Sequence, residues 1–227
     1  TVDVWTSASI DIRTSASKAI TEQRDEIDAT IEHTVHNTRL TGAYRYSTEP
    51  DYESHGGTLG LELDLADRST TLGATLLGSF DAVGRVGDPA FSRGTRLFGA
   101  RASIAQVLDR DTLVQAIYEI GQQQGYLSSP YRFVGIGSAD GSCRGAVTHC
   151  VPETNPEARL KHALVARGRR ALGKRSSVGA GYRFYIDDWD LISHTADADI
   201  AWLPLRDLSL ALRYRFYWQG AAAHYRA

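Results

Sequence analysis

Methionine is absent from all 227 residues, and cysteine occurs only twice. With no initiator and no leader-like segment at the front, the chain is expected to be a mature, processed product. No stretch approaches the roughly 18 consecutive apolar residues of a membrane-crossing helix, which excludes a helical membrane bundle. Neither sign of charge dominates: 25 Lys and Arg stand against 27 Asp and Glu, so there is no basic footprint for nucleic acid. Mean hydropathy is negative. That would be too polar for a helical membrane protein but not for a β-barrel, where half of every strand faces a polar interior.

What the sequence does have is a stride of two. In Leu208-Ser209-Leu210-Ala211-Leu212-Arg213-Tyr214-Arg215-Phe216-Tyr217-Trp218-Gln219 the even positions are apolar or aromatic. The odd positions carry Arg213 and Arg215. Successive side chains on a strand point to opposite faces, so one face is greasy and ends in aromatics while the other is polar. Transmembrane β-strands of roughly 9–11 residues show this pattern, with aromatic girdles at the interfaces.

Eleven such segments follow one another: residues 2–13, 19–35, 38–47, 58–65, 71–81, 96–108, 112–121, 159–169, 177–187, 191–202 and 208–219. The segment 159–169 is the weakest in phase. Short connections at 35–37, 66–69, 109–111, 172–175 and 204–207 alternate with longer ones, rich in Gly, Pro and Ser, at 48–57, 82–94 and 122–157. Sorting of loops by side is the mark of an outer-membrane barrel, with short periplasmic turns and long external loops.

The expectation is therefore all-β: one antiparallel, up-and-down transmembrane β-barrel domain over 1–227, of about twelve or more strands, with a long external loop at 122–157. An odd count of eleven ends on the outside, whereas bacterial single-chain barrels have even counts. Further C-terminal strands are expected to follow. The predicted location is the bacterial outer membrane, with outer-membrane lipid as the surrounding partner.

Cys143 and Cys150 lie in the longest loop and lack the paired CxxC hooks of a structural zinc site. A loop-closing disulfide is the preferred reading and implies an oxidising compartment. The alternative is a metal site built from both thiolates and His149.

Three stretches stand apart: Tyr44-Arg45-Tyr46-Ser47-Thr48-Glu49-Pro50-Asp51-Tyr52, then Tyr126-Leu127-Ser128-Ser129-Pro130-Tyr131-Arg132, and Tyr182-Arg183-Phe184-Tyr185-Ile186-Asp187-Asp188-Trp189-Asp190-Leu191-Ile192-Ser193-His194-Thr195. In these stretches, and across most of its length, the chain resembles the bacterial outer-membrane family named domain of unknown function 3570. The resemblance implies a β-barrel and supplies no agreed activity. It also implies an envelope redox setting, beside a small lipoprotein, a thioredoxin-like protein and a flavin transferase.

The expected topology puts all three stretches at external strand ends. Arg45, Glu49, Asp51, Tyr131, Arg132, Asp187, Asp188 and Trp189 would then gather at one mouth, either to bind a ligand or partner or to hold the loops to one another. Arg45, Arg132, Asp187 and Asp188 are expected to share hydrogen bonds there, and Arg132→Ala to loosen the external loops without unfolding the barrel. The lumen face is expected to carry Glu62, Asp64, Arg101, Glu119, Arg183, Asp197, Asp199, Arg213 and Arg215. Their mixed signs suit either a salt-bridged plug or a weakly selective narrow channel.

No catalytic set, metal centre or cofactor is predicted. Ser193 and His194 are adjacent on a strand, point to opposite faces and cannot form a dyad. Asp187, Asp188 and Asp190 lack a calcium-loop pattern, and the loop glycines 56–57 and 135–137 open no helix that could cradle phosphate. The function expected is a narrow pore, or a membrane scaffold for a lipoprotein or surface-complex partner. The alternative is a barrel hydrolase for lipids or esters, centred on His194 or the external acidic cluster.

Overall fold

The computed structural model describes residues 2–6, 21–137, 143 and 149–223. Thirteen strands make up the described fold: β1 (Val2–Thr6), β2 (Thr21–Val35), β3 (Thr38–Glu49), β4 (Tyr52–Leu65), β5 (Thr70–Val83), β6 (Arg93–Asp109), β7 (Thr112–Gly125), β8 (Phe133–Ile136), β9 (His149–Pro152), β10 (Ala158–Ala171), β11 (Ser176–Asp187), β12 (Ile192–Leu205) and β13 (Leu208–Gln219). All but β8 and β9 form one eleven-stranded sheet in chain order, each strand antiparallel to its neighbours. This is the up-and-down wall of a β-barrel, and its eleven strands correspond one to one with the eleven alternating segments of the sequence. Residues 7–20, which include the end of the first predicted strand, lie outside the described residues, as does His224–Ala227.

The register puts one alternation in line across the whole sheet. On β3 to β6 the row Gly42, Leu59, Leu76 and Ala100 runs sideways through consecutive pairs. On β11 to β13 the same face carries Val178, Ile200 and Leu212. A one-residue slip anywhere would turn such a row over, so the pattern fixes the register.

This face is apolar and open to its surroundings: Ile31 is 77% exposed, Leu212 71% and Leu59 67%. By contrast, Ile117 and Ala163 are the only buried hydrophobic side chains among the described residues. Such an inversion of the water-soluble pattern needs an apolar medium to cover the outer face. No helix among the described residues is long and apolar enough to cross a membrane, a statement that does not bear on strands.

At one end of the wall the connections are short: 36–37, 66–69, 110–111, 172–175 and 206–207. At the other end lie 84–92 and 126–157, with tight turns at 50–51 and 188–191. The stretch 48–57 is thus not a long loop. Thr48 and Glu49 finish β3, and Tyr52 to Gly57 begin β4. The Gly56-Gly57 pair reads as a loop in sequence, yet Gly56 stands opposite Arg45 in the ladder. A side chain at 56 would meet the backbone and Cβ of Arg45 at about 4 Å. These are ordinary van der Waals distances, so the ladder passes this glycine without requiring it.

Within 126–157, β8 and β9 pair as a two-stranded hairpin unforeseen in the sequence. Cys143 and Cys150 are joined as a disulfide with their Cα atoms 5.8 Å apart. That replaces the thiolate metal site.

Candidate functional site

The long-connection end is built from three groups of side chains. On β2 and β3, Arg24 pairs with Glu26 at 2.5 Å and with Glu49 at 3.6 Å, and Arg45 pairs with Glu26. The second group ties the connections together. The Tyr131 hydroxyl donates to Asp51 in the 50–51 turn and accepts from the Val86 amide at 2.8 Å. Arg132 pairs with Glu153 at 3.3 Å, bridging the feet of β8 and β9. Phe91 meets Tyr126 edge-to-face at 5.5 Å and lies 4.3 Å under the Arg85 guanidinium. Burial pushes the Tyr126 hydroxyl up, against the pull of Arg85 and Arg93.

Asp187 holds the third group. Its side chain has no exposed surface. One oxygen accepts Arg159 Nε at 2.9 Å, Arg159 Nη2 at 2.5 Å and the Tyr185 hydroxyl at 2.8 Å. The other accepts the amides of Trp189 at 3.0 Å and Leu191 at 3.1 Å, closing the 188–191 turn. Trp189 Nε1 donates to the Ala158 carbonyl at 2.9 Å, and its ring lies 4.3 Å under Arg159. The Asp188 amide donates to the Leu160 carbonyl at 3.1 Å. A stretch that reads as an acidic hairpin tip is a carboxylate hub joining β10, β11 and the next turn.

Arg45, Arg132, Asp187 and Asp188 are the residues expected to share a network, and the described ion pairs of three of them run to their own neighbours. Arg45, Arg132 and Asp187 each take a different counter-charge: Glu26, Glu153 and Arg159 respectively. Tyr131→Phe is the sharpest probe of the second group. It removes the donor to the half-buried Asp51 carboxylate and the acceptor of the exposed Val86 amide, and should weaken loop docking by about 0.5–1.5 kcal/mol. The folded barrel should then be nicked faster by protease within 126–157, with its strand ladder intact. Nicking at the wild-type rate would mean that the hydroxyl does not hold the loop.

The polar face carries the charges that the stride of two assigns to it. Arg101 and Glu119 face each other across β6 and β7, with nitrogen-to-oxygen distances of 3.0 and 2.6 Å, and Arg183 lies 3.6 Å from the same carboxylate. Glu62 pairs with Arg39 at 3.0 Å, and Asp64 accepts the Thr71 hydroxyl at 2.7 Å. Asp199 pairs with Arg169 at 2.6 Å. Asp197 stands opposite Arg215 in register, and Asp199 opposite Arg213. Sequence reasoning missed the β10 cations Arg159, Lys161, Arg167 and Arg169. Their odd-numbered spacing was the signal, hidden because Ala163 and Val165 interrupt it.

It also missed a repeated pair on the apolar face. Tyr44 bonds to His55 Nδ1 at 2.7 Å, Tyr118 to His162 at 2.7 Å and Tyr182 to His194 at 2.6 Å. In every pair the histidine lies two residues nearer the long-connection end than the position opposite the tyrosine. With Phe80, Phe98 and Trp218 they make a girdle, the residue type that lines a membrane interface. His194 thus lies on the outer face, while Ser193 is buried on the polar one.

The chain matches the model of a family described as a protein of unknown function, DUF3570, over residues 9–102 and 92–227. It belongs to that family. Among solved structures, it is similar to the beta domain of the Bordetella autotransporter BrkA at 14% identity, with a TM-score of 0.37, covering 87% of this chain and 83% of that one. No curated protein matches the chain. In this family member the stretch Tyr182 to Thr195 supplies three parts of the architecture at once. Those are the Tyr182–His194 girdle pair, the Arg183–Glu119 contact on the polar face and the Asp187 hub.

Proposed function

We propose that this family member is an outer-membrane β-barrel acting as a narrow, non-catalytic pore, with its long connections outside the cell. The observation that carries this reading is the state of the polar face. Its buried hydrophobic side chains among the described residues are two, Ile117 and Ala163. Charged groups there keep much of their surface, 51% for the Arg101 side chain and 52% for Arg39. Between them lie small residues such as Gly60, Gly73, Gly121 and Ser79. A packed interior would need large apolar side chains in their place.

Purified, folded protein reconstituted in a planar bilayer is expected to conduct in discrete steps. Heat-modifiable gel migration confirms the folded state of each sample. Folded barrel that leaves the bilayer silent would overturn the pore and favour a scaffold. That second reading draws on β8, where Phe133, Val134 and Ile136 are exposed on a hairpin beyond the strands. Co-purification of a small lipoprotein, lost on mutation of the hairpin, would support it. The non-catalytic part of the reading draws on the opposite facing of Ser193 and His194, and turnover of a lipid or ester by the purified barrel would refute it.

A further inference from the structure

Two register rows cross four strands on the polar face near the short-turn end. One is Arg167, Gly181, Asp197 and Arg215; the other is Arg169, Gly179, Asp199 and Arg213. Each row reads Arg-Gly-Asp-Arg from β10 to β13. The glycines are what allow the arrangement. A Cβ on Gly179 would lie 2.6 Å from Asp199 Oδ1 and 3.0 Å from Arg169 Nη2, and one on Gly181 would lie 2.4 Å from Asp197 Oδ2. Both aspartates therefore lean over β11 through the space a side chain would fill. Asp199 reaches Arg169 at 2.6 Å by this route, and Ser177 takes a second hydrogen of the same guanidinium at 3.0 Å.

The charges do not balance. Four guanidiniums face two carboxylates, and Asp199 is already committed to Arg169. Arg167 bonds to the neutral Gln115 at 2.7 Å. Arg213 and Arg215 form no ion pair with a described residue. A cleft of about 300 Å³ opens over the rows, lined by Gln115, Arg167, Arg169, Asp197, Asp199 and Arg213. Uncompensated guanidiniums on a barrel wall gain from any anion that can reach them, and the planar fork of Arg fits two oxygens of one oxyanion.

We propose that the two rows form a binding site for a small, doubly charged oxyanion of the phosphate type. Arg213 supplies a free fork in the cleft, Arg215 a second from two residues further along the same face of β13 and outside the cleft lining, and Arg167 a third from the far side. The two excess positive charges among these described residues match the charge of the ion. Asp197 and Asp199 hold the cations in line and at the same time repel the guest, which keeps the affinity modest and the ion exchangeable. The inference does not rest on conductance: a silent barrel could still bind, and a conducting one could fail to.

Isothermal titration of the full-length, folded barrel in detergent with inorganic phosphate at low salt tests it, with chloride as the monovalent comparison. Saturable phosphate binding is expected, and R213Q/R215Q should weaken it by roughly tenfold or more. D197N should tighten it, because one repelling charge is gone. R39Q, on a distant strand of the same face, should leave it unchanged. Should R213Q/R215Q not fold, R213K and R215K keep the charge but lose the fork, and each should weaken binding by about threefold or more. Absence of saturable phosphate binding to wild type, equal binding of chloride, or unchanged affinity in the folded arginine variants would each overturn the proposal.

Discussion

Asp187→Ala should cost about 3–5 kcal/mol of barrel stability, because it leaves a charge that the fold has taken out of water without its partner. The Asp187 side chain has no exposed surface, and that of Arg159 retains 22%. With the carboxylate gone, the Arg159 guanidinium, the Tyr185 hydroxyl and the amides of Trp189 and Leu191 lose their common acceptor together. Trp189 then loses both the fixed turn beneath it and the cation it lies under. Asp187→Asn keeps the shape and the amide contacts but not the charge, so it should fall between wild type and alanine. Unfolding in urea from lipid vesicles, followed by tryptophan fluorescence, gives the order. An alanine variant as stable as wild type would mean that the hub is ornamental and that the strand ladder alone sets stability.

The barrel wall was legible because its signal is strictly local. Alternation at Leu59, Leu61 and Leu63 on β4, or at Leu208 to Trp218 on β13, fixes both strand and facing from the chain itself. Register followed, since each short turn leaves little freedom in how its flanking strands pair. Loop composition was a poorer guide. The ladder continues through Gly56 and Gly57 because backbone hydrogen bonds do not need a side chain.

The rim was legible in its residue types but not in its partners. Arg45 and Asp187 meet charges from their own neighbouring strands, Glu26 on β2 and Arg159 on β10. Adjacent strands offer a carboxylate or guanidinium within reach, so pairing close by wins over pairing across the mouth. The long connection joins elements distant in sequence, through Tyr131 to Asp51 and Val86, and no local pattern announces such a bond. The Arg-Gly-Asp-Arg rows were hidden for a different reason. Each residue sits on a separate strand, and the row exists only after the register of four strands is known.

Gly125→Ala should be nearly as damaging as loss of Asp187, by a wholly different route. Gly125 ends β7 with φ of +110°, a conformation that L side chains rarely adopt. A Cβ there would sit 2.3 Å from the Gly94 carbonyl oxygen and 3.0 Å from Thr95 Cα, and both are backbone atoms of β6 that cannot swing aside. The same corner carries two bonds that launch the long connection, Gly125 amide to Glu157 carbonyl at 2.8 Å and Tyr126 amide to Gly94 carbonyl at 3.0 Å. Backbone strain plus a forced shift of β6 should cost roughly 2–4 kcal/mol. Two companion substitutions separate the causes. Gly87 has φ of +83°, but a Cβ there would meet nothing within 4 Å. Gly87→Ala should therefore show conformational strain alone, about 1 kcal/mol. Gly94 has an ordinary φ and equally open space, so Gly94→Ala should be close to neutral. Urea midpoints for the three variants should fall in the order Gly94, Gly87, Gly125, from mildest to most severe. If Gly125→Ala proves no worse than Gly87→Ala, the contact between β6 and the end of β7 is looser than the ladder implies, and the long connection is not anchored at that corner.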